Sequence, residues 1–174
     1  MSEQNRIPGK YSGKASARLR TLKLFLATFL VCYLLLRFVV GISWISGHSM
    51  EPGIPNGSMV FYLRLTRDYQ VGDAVPIKMP SGMFYINRIV AMEGSEVDLK
   101  DGTLYVDGIP EQSTEALGRT DPQGDHVAYP CLLGEGEIFV LGDNREDSVD
   151  SRTYGPMVLT QIEGKILFYI PPLW

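Results

Sequence analysis

Cysteine and histidine are nearly missing from this chain, with two of each in 174 residues. Cys32 and Cys131 lie far apart, so no intrachain disulfide is expected. No His/Cys/Asp/Glu cluster has metal-ligand spacing, so neither a metal nor another cofactor is expected. Nothing basic flanks Cys131, which suits a small buried residue better than a reactive thiol. Positive charge is scarce after Gly41, where 9 Lys/Arg stand against 19 Asp/Glu, a net of −10. Phosphate attraction supplies most non-specific nucleic-acid affinity, so an acidic segment of this kind excludes a nucleic-acid partner. There is no internal repeat. No long amphipathic helix follows the single apolar run.

That run is the first positive feature. Leu22 to Ile42 is almost wholly apolar, with Lys23 and Arg37 near its ends. About 20 such residues cross a bilayer as a helix, and terminal Lys/Arg side chains can snorkel to the headgroups. Arg6, Lys10, Lys14, Arg18 and Arg20 precede it against Glu3 alone. That asymmetry places the N-terminus in the cytoplasm. A cleaved signal peptide fits less well, because the run is long and no small-x-small site clearly follows. The expected organisation is a basic, disordered cytoplasmic tail over 1–21, a single transmembrane helix over 22–42, and an extracytoplasmic domain over 43–174. The protein is thus expected at the cell membrane, with the lipid bilayer as one partner. Ser43 to Ser46 reads as a short bridge with Trp44 at the interface.

From Ser58 the pattern is β. Ser58–Arg64 is a short apolar run. Ala74–Met79 and Met83–Met92 read as strands joined by a turn at Pro80-Ser81-Gly82. Glu96–Leu99 and Thr103–Val106 flank Lys100-Asp101-Gly102, and Asp107-Gly108 marks the next turn. Residues 111–130 are polar and irregular, which predicts a surface loop or small insertion. Glu137–Leu141 reads as a buried strand and Gly164–Ile170 as the last strand, stopped by Pro171-Pro172. The fold class is mainly β, with antiparallel sheets and one N-terminal transmembrane helix.

Two segments carry chemistry. Gly47-His48-Ser49-Met50-Glu51-Pro52 sets a serine in a tight-turn context, where backbone N–H groups can stabilise an oxyanion. A serine needs a base to become a nucleophile, and by itself this hexapeptide also describes an ordinary loop serine. His48 is adjacent to Ser49 and so is expected to point away from it. His126 sits in the irregular region. Gly142 to Arg152 opens with a Gly-Asp-Asn turn and packs Asp143, Arg145, Asp147, Asp150 and Arg152 with Ser148 and Ser151. That density of paired charges and hydroxyls can order a site, while a solvated charged loop reads the same way.

These pieces, with Gly72-Asp73, Tyr85-Ile86-Asn87-Arg88-Ile89-Val90, Leu104-Tyr105-Val106-Asp107-Gly108 and Tyr154-Gly155-Pro156, resemble in content and order the bacterial type I signal peptidases. Those are membrane-anchored serine endopeptidases with a Ser–Lys dyad. The resemblance covers roughly residues 20–170. It implies removal of signal peptides from exported preproteins by acyl transfer through Ser49, whose own N–H would serve the oxyanion hole. Gly47 matches members without a side-chain donor two residues before the serine. The resemblance implies that Ser148 orients the general base, that Asp150 and Arg152 form a supporting salt bridge, and that Asp143 belongs to the same loop. Met50, Tyr85 and Ile86 match the lining of the pockets for small side chains at substrate positions −1 and −3. The family fold has two antiparallel sheet regions and an apolar surface near the membrane.

At Asn87 this chain departs from that pattern, since the family places there the lysine that acts as base. A carboxamide has no titratable nitrogen, though it can hold a water. Gly53 is a second departure, where threonine is frequent. Lys78, Lys100 and Lys165 have no clear claim to the base's role. The alternative function is a catalytically impaired or inactive relative that binds secreted or pilin precursors as an assembly factor. An engineered Asn87 that traps substrate fits the same residues.

Overall fold

The computed structural model describes residues 12–79 and 82–173. The chain divides into two compact units between Arg37 and Phe38. The first is a helix, α1, spanning Ser12–Leu34 and continuing as a π-helical turn over Leu35–Val39. Ser16–Val39 is long and apolar enough to cross a membrane, by length and composition. The sequence boundaries shift at both ends. Residues 12–21 are helical where a disordered tail was expected, and residues 1–11 lie outside the described residues. Val40–Ile42 are not the end of the helix. They begin strand β1, Val40–Trp44, which also absorbs half of the expected Ser43–Ser46 bridge. β-branched Val and Ile satisfy a hydropathy run and a strand equally, so the run could not mark this junction.

The second unit holds ten further strands in short antiparallel ladders. They are β2 (Met59–Leu63), β3 (Ala74–Lys78), β4 (Phe84–Met92), β5 (Glu96–Lys100), β6 (Thr103–Val106), β7 (Ile109–Pro110), β8 (Cys131–Leu132), β9 (Glu137–Leu141), β10 (Met157–Val158) and β11 (Lys165–Ile170). A four-residue helix, α2 (Ser151–Tyr154), and a 3-10 turn, Leu159–Gln161, flank β10. Among the described residues there are three sheets, ordered β1-β2-β11, β10-β9-β4-β3 and β7-β6-β5-β8, where the resemblance led us to expect two sheet regions. The third is the ribbon around β5 and β6, extended by two-residue strands that carry too few residues to show period-2 alternation.

β4 is the organising strand. It pairs with β3 on one side and β9 on the other. Ile89, Ile138, Val140 and Val75 are fully buried in one apolar cluster, and Ala91, Val97 and Phe139 in a second. Each large aliphatic or aromatic side chain so buried contributes roughly 1.5–3 kcal/mol. A third cluster joins Ile45, Met50, Ile54, Val60 and Ala74, with Ile86 packed against it. It fixes the segment after β1, and therefore Ser49, against β2 and β4. Both cysteines are free thiols, and burial pushes the Cys131 thiol up, away from reactivity.

Candidate active site

Ser49 sits in a turn closed by its neighbours. Gly47 has φ +120°, a conformation that only glycine adopts without strain. Its N–H donates to Asn56 Oδ1 at 3.1 Å, and the Asn56 N–H donates to Glu51 Oε1 at 3.2 Å. His48 Nδ1 lies 3.1 Å from the same Glu51 oxygen. The Asn56 N–H, and secondarily His48, hold the Glu51 carboxyl below its ordinary range. His48 is thus turned to Glu51. Met50, 1% exposed, plugs into the third apolar cluster and anchors the turn from below. Among the described residues the Ser49 N–H finds no backbone acceptor, which leaves it free to face an oxyanion.

Ser49, Met50, Tyr85 and Ile86 line one cleft of about 310 Å³, together with Ile45 and Ser46. The proposed nucleophile and the three proposed pocket residues therefore converge. A larger cavity of about 730 Å³ lies by β4, β6 and β7 and includes none of these four residues, so size does not locate the chemistry.

The loop after β9 closes the site from the other side. Asp150 caps α2 and gathers five donors. Its Oδ2 accepts from Ser148 Oγ at 2.6 Å, the Gly142 N–H at 3.1 Å and Arg152 Nη2 at 2.9 Å. Its Oδ1 accepts from Arg152 Nε at 2.9 Å and the Arg152 N–H at 3.1 Å. Asp150 is 0% and Arg152 2% exposed, so this is a buried ion pair with its acceptors filled. Arg152 Nη2 also donates to Ser148 Oγ at 2.8 Å. The Ser148 proton is thereby committed to Asp150, and its oxygen remains able to accept a second donor.

Asn87 lies on β4 beside the strand that leads into this loop. It is 2% exposed and pairs with Val75 across β3 and β4. Arg88 pairs with Leu141 on the other side, so the next residues in line are Asn87 and Gly142. A Cβ on Gly142 would sit 2.7 Å from both Ser148 Oγ and the Ser49 carbonyl oxygen. That carbonyl also accepts from the Asn144 N–H at 2.9 Å. By strand alternation Asn87 shares a face with Tyr85, which lies beside Tyr154 of α2. Lys78, Lys100 and Lys165 are not placed to stand in for it. Lys78 pairs with Phe84, three register steps and roughly 10 Å from the Asn87 position. Lys165 is paired to Asp73 at 2.8 Å, and Lys100 is paired to Asp98. His126 is exposed on the 111–130 loop.

Arg88 and Asp143 explain each other and Gly53. Arg88 Nε and Nη2 grip the two Asp143 oxygens at 2.8 and 2.6 Å, and Nη1 donates to the Gly72 carbonyl at 2.8 Å. Burial pushes the Asp143 carboxyl up while Arg88 pulls it down. The hydrogen bond to Asp143 raises Arg88 further, so the guanidinium stays charged. A Cβ at Gly53 would run into Asp143 Oδ2 and come within 2.9 Å of Arg88 Nη2. Both neighbours are locked in a bidentate pair and cannot swing aside cheaply. Gly53→Thr is therefore expected to destabilise this chain by about 1–3 kcal/mol, read as a lower midpoint of denaturant unfolding.

The 111–130 segment is more than the surface insertion expected from its composition. It clamps the loop after β9. The Leu117 N–H donates to the Asp143 carbonyl, and the Arg145 N–H donates back to Leu117, both at 2.8 Å. Arg145, 2% exposed, grips Glu111 with both terminal nitrogens at 2.7 Å and reaches Thr120 Oγ1 at 2.7 Å. Gln123 Nε2 donates to the Ser148 carbonyl at 3.0 Å, while its Oε1 accepts from Thr153 Oγ1 at 2.7 Å. Glu111, Thr120 and Gln123 carried no signal in the sequence, since polar residues in an irregular stretch read as solvated.

Residues 18–171 match the model of the family described as signal peptidase, peptidase S26. Signal peptidase IB of Staphylococcus aureus (strain Mu50 / ATCC 700699) is 30% identical over 162 residues, covering 83% of this chain and 84% of that one. Thylakoidal processing peptidase 1, chloroplastic, of Arabidopsis thaliana is 34% identical over 140 residues, 71% of this chain. The chain spans 40% of the plant relative's length. The crystal structure of a signal peptidase I from Enterococcus faecalis V583 superposes with a TM-score of 0.47 at 27% identity, over 57% of this chain and 97% of that one.

Proposed function

Because this chain belongs to the signal peptidase family, peptidase S26, we propose that it is a membrane serine endopeptidase that removes signal peptides from exported preproteins. The observation that carries this reading is the convergence of Ser49, Met50, Tyr85 and Ile86 on one cleft. The Asp150–Arg152 pair, which holds Ser148, supports this reading from the loop after β9, whose Asn144 N–H donates to the Ser49 carbonyl. Small side chains at −1 and −3 enter beside Met50, Tyr85 and Ile86. Ser49 Oγ attacks the carbonyl carbon of the −1 residue, and the Ser49 N–H receives the oxyanion. The mature chain leaves as its amine, its nitrogen taking up the proton lost by Ser49 through a water held at Asn87, and a second water then hydrolyses the acyl-Ser49 ester and returns a proton to Ser49 Oγ. The Ser49 proton is the weak point. Asn87 cannot take it, and a water held by the carboxamide is a poor base, so turnover lies far below that of a lysine-based site.

The membrane topology we propose is single-pass, with the basic N-terminus in the cytoplasm and residues 43–174 outside, in keeping with the apolar helix Ser16–Val39. The exposed apolar residues Ile42, Trp44, Phe168 and Ile170 on β1 and β11 suit contact with the lipid bilayer. A second reading is a non-cleaving holder of secreted or pilin precursors. It is favoured by Asn87 alone. Both readings require precursor binding. A labelled preprotein is expected to bind the purified full-length protein in detergent saturably, and a linear, non-saturable isotherm refutes both.

A further inference from the structure

The cleft that holds Ser49 also holds a guanidinium. Val60, Tyr62 and Arg64 alternate along β2 and just past its end, so they share one face. Val60 packs with Met50 at the Ser49 end, and Tyr62 and Arg64 line the cleft farther along. Two residues advance a strand by about 6.6 Å, which puts Arg64 roughly 13 Å beyond Val60.

Arg64 is held in place by several contacts. The Tyr62 ring crosses β1 at Gly41, its register partner, where no Cβ could fit. On another side Gly164 makes room, since a Cβ there would come within 2.8 Å of Tyr62 Cδ2. The Arg64 guanidinium carbon lies 4.9 Å from the centroid of the Tyr62 ring, within cation–π range. Nη1 donates to Glu163 Oε2 at 3.1 Å, which is the one hydrogen bond of this side chain among the described residues. Nε is buried with no partner. Nη2 is left without an acceptor. A guanidinium with five N–H donors, stacked and anchored at one nitrogen, is pre-organised to receive an oxygen at another.

We propose that Arg64 is a substrate-binding residue that receives an acceptor oxygen, a carbonyl or carboxylate, of the bound precursor. The cleft runs from Ser49 past the pockets for −1 and −3. An extended peptide along it therefore reaches Arg64 about four residues beyond the one that lies over Met50 and Val60, on the N-terminal side. This inference rests on the signal-peptide reading above and adds to it a contact beyond the two small-residue pockets.

The test is equilibrium binding of two fluorescent synthetic peptides to the full-length protein in detergent. Both carry alanine at −1 and −3. The long one continues past the Arg64 position, and the short one begins at the −3 residue. Wild type is expected to bind the long peptide about tenfold more tightly than the short one, and Arg64→Met to lose that advantage while binding the short peptide as wild type does. Glu163→Gln leaves Arg64 in the cleft and is expected to keep the preference for the long peptide. Equal weakening of both peptides by Arg64→Met assigns Arg64 a purely structural role and overturns the proposal, as does an undiminished preference for the long one. Failure of wild type to bind either peptide brings down the signal-peptide reading itself, a result distinct from the other two.

Discussion

Replacing Asn87 by lysine is expected to raise preprotein cleavage by about 10²–10⁴-fold, the range that a positioned general base supplies. The surroundings already suit the amine. Position 87 is 2% exposed, so burial would depress a lysine there toward the neutral form that can take the Ser49 proton. Ser148 is fixed by Asp150 and Arg152 with a lone pair to spare, so it can accept from that amine. The gain should fall on kcat rather than KM, because residue 87 is not among the residues lining the cleft. The pH–rate profile supplies a second sign. The lysine variant should acquire a rising limb as its amine deprotonates, centred below the ordinary lysine value, and wild type should lack that limb. A variant no faster than wild type, with no new limb, would show that the site is not limited at residue 87.

The second large effect is on stability. Asp150→Ala removes the acceptor of five hydrogen bonds and leaves Arg152, 2% exposed, as a buried uncompensated charge. Breaking a buried pair in this way costs about 3–5 kcal/mol. For a domain of this size that corresponds to a fall in Tm of roughly 10–20 °C. Asp150→Asn is expected to rescue little, since both oxygens of Asp150 accept and an amide would turn a donor toward donors. Asp121→Ala is the contrast. It breaks the exposed Arg119–Asp121 pair, which solvent screens, and should leave the unfolding midpoint nearly unchanged. Thermal unfolding of the three variants in the same detergent ranks them, and an Asp150→Ala variant as stable as Asp121→Ala would contradict this account of the loop.

Much of this arrangement was legible in the sequence, for reasons that differ by element. The β3–β4 and β5–β6 pairs and β9 were readable because apolar alternation and turn residues agree there. The Gly142–Arg152 loop stood out only through the resemblance, since its density of Asp, Ser and Arg describes a solvated charged loop equally well. The end of α1 was not readable. Residues 40–42 are as apolar as the helix before them, and pairing of Val40, Gly41 and Ile42 with Leu63, Tyr62 and Phe61 is what commits them to β1. Gly53 read only as a departure from the family pattern, and its reason is the Arg88–Asp143 pair, which leaves no room for a Cβ. The clamp over 111–123 was hidden for a physical reason. Its partners, Asp143, Arg145 and Ser148, are distant in sequence, and hydrogen bonds between backbone and polar side chains leave no hydrophobic periodicity to read.

The most direct test of the central claim is mass analysis of a preprotein after prolonged incubation with the purified full-length protein and with Ser49→Ala, both in detergent. The account predicts slow release of the mature chain by wild type, cut after a small residue that stands two positions beyond another small one, and none by Ser49→Ala. Equal release by both proteins, or none by wild type, would contradict it.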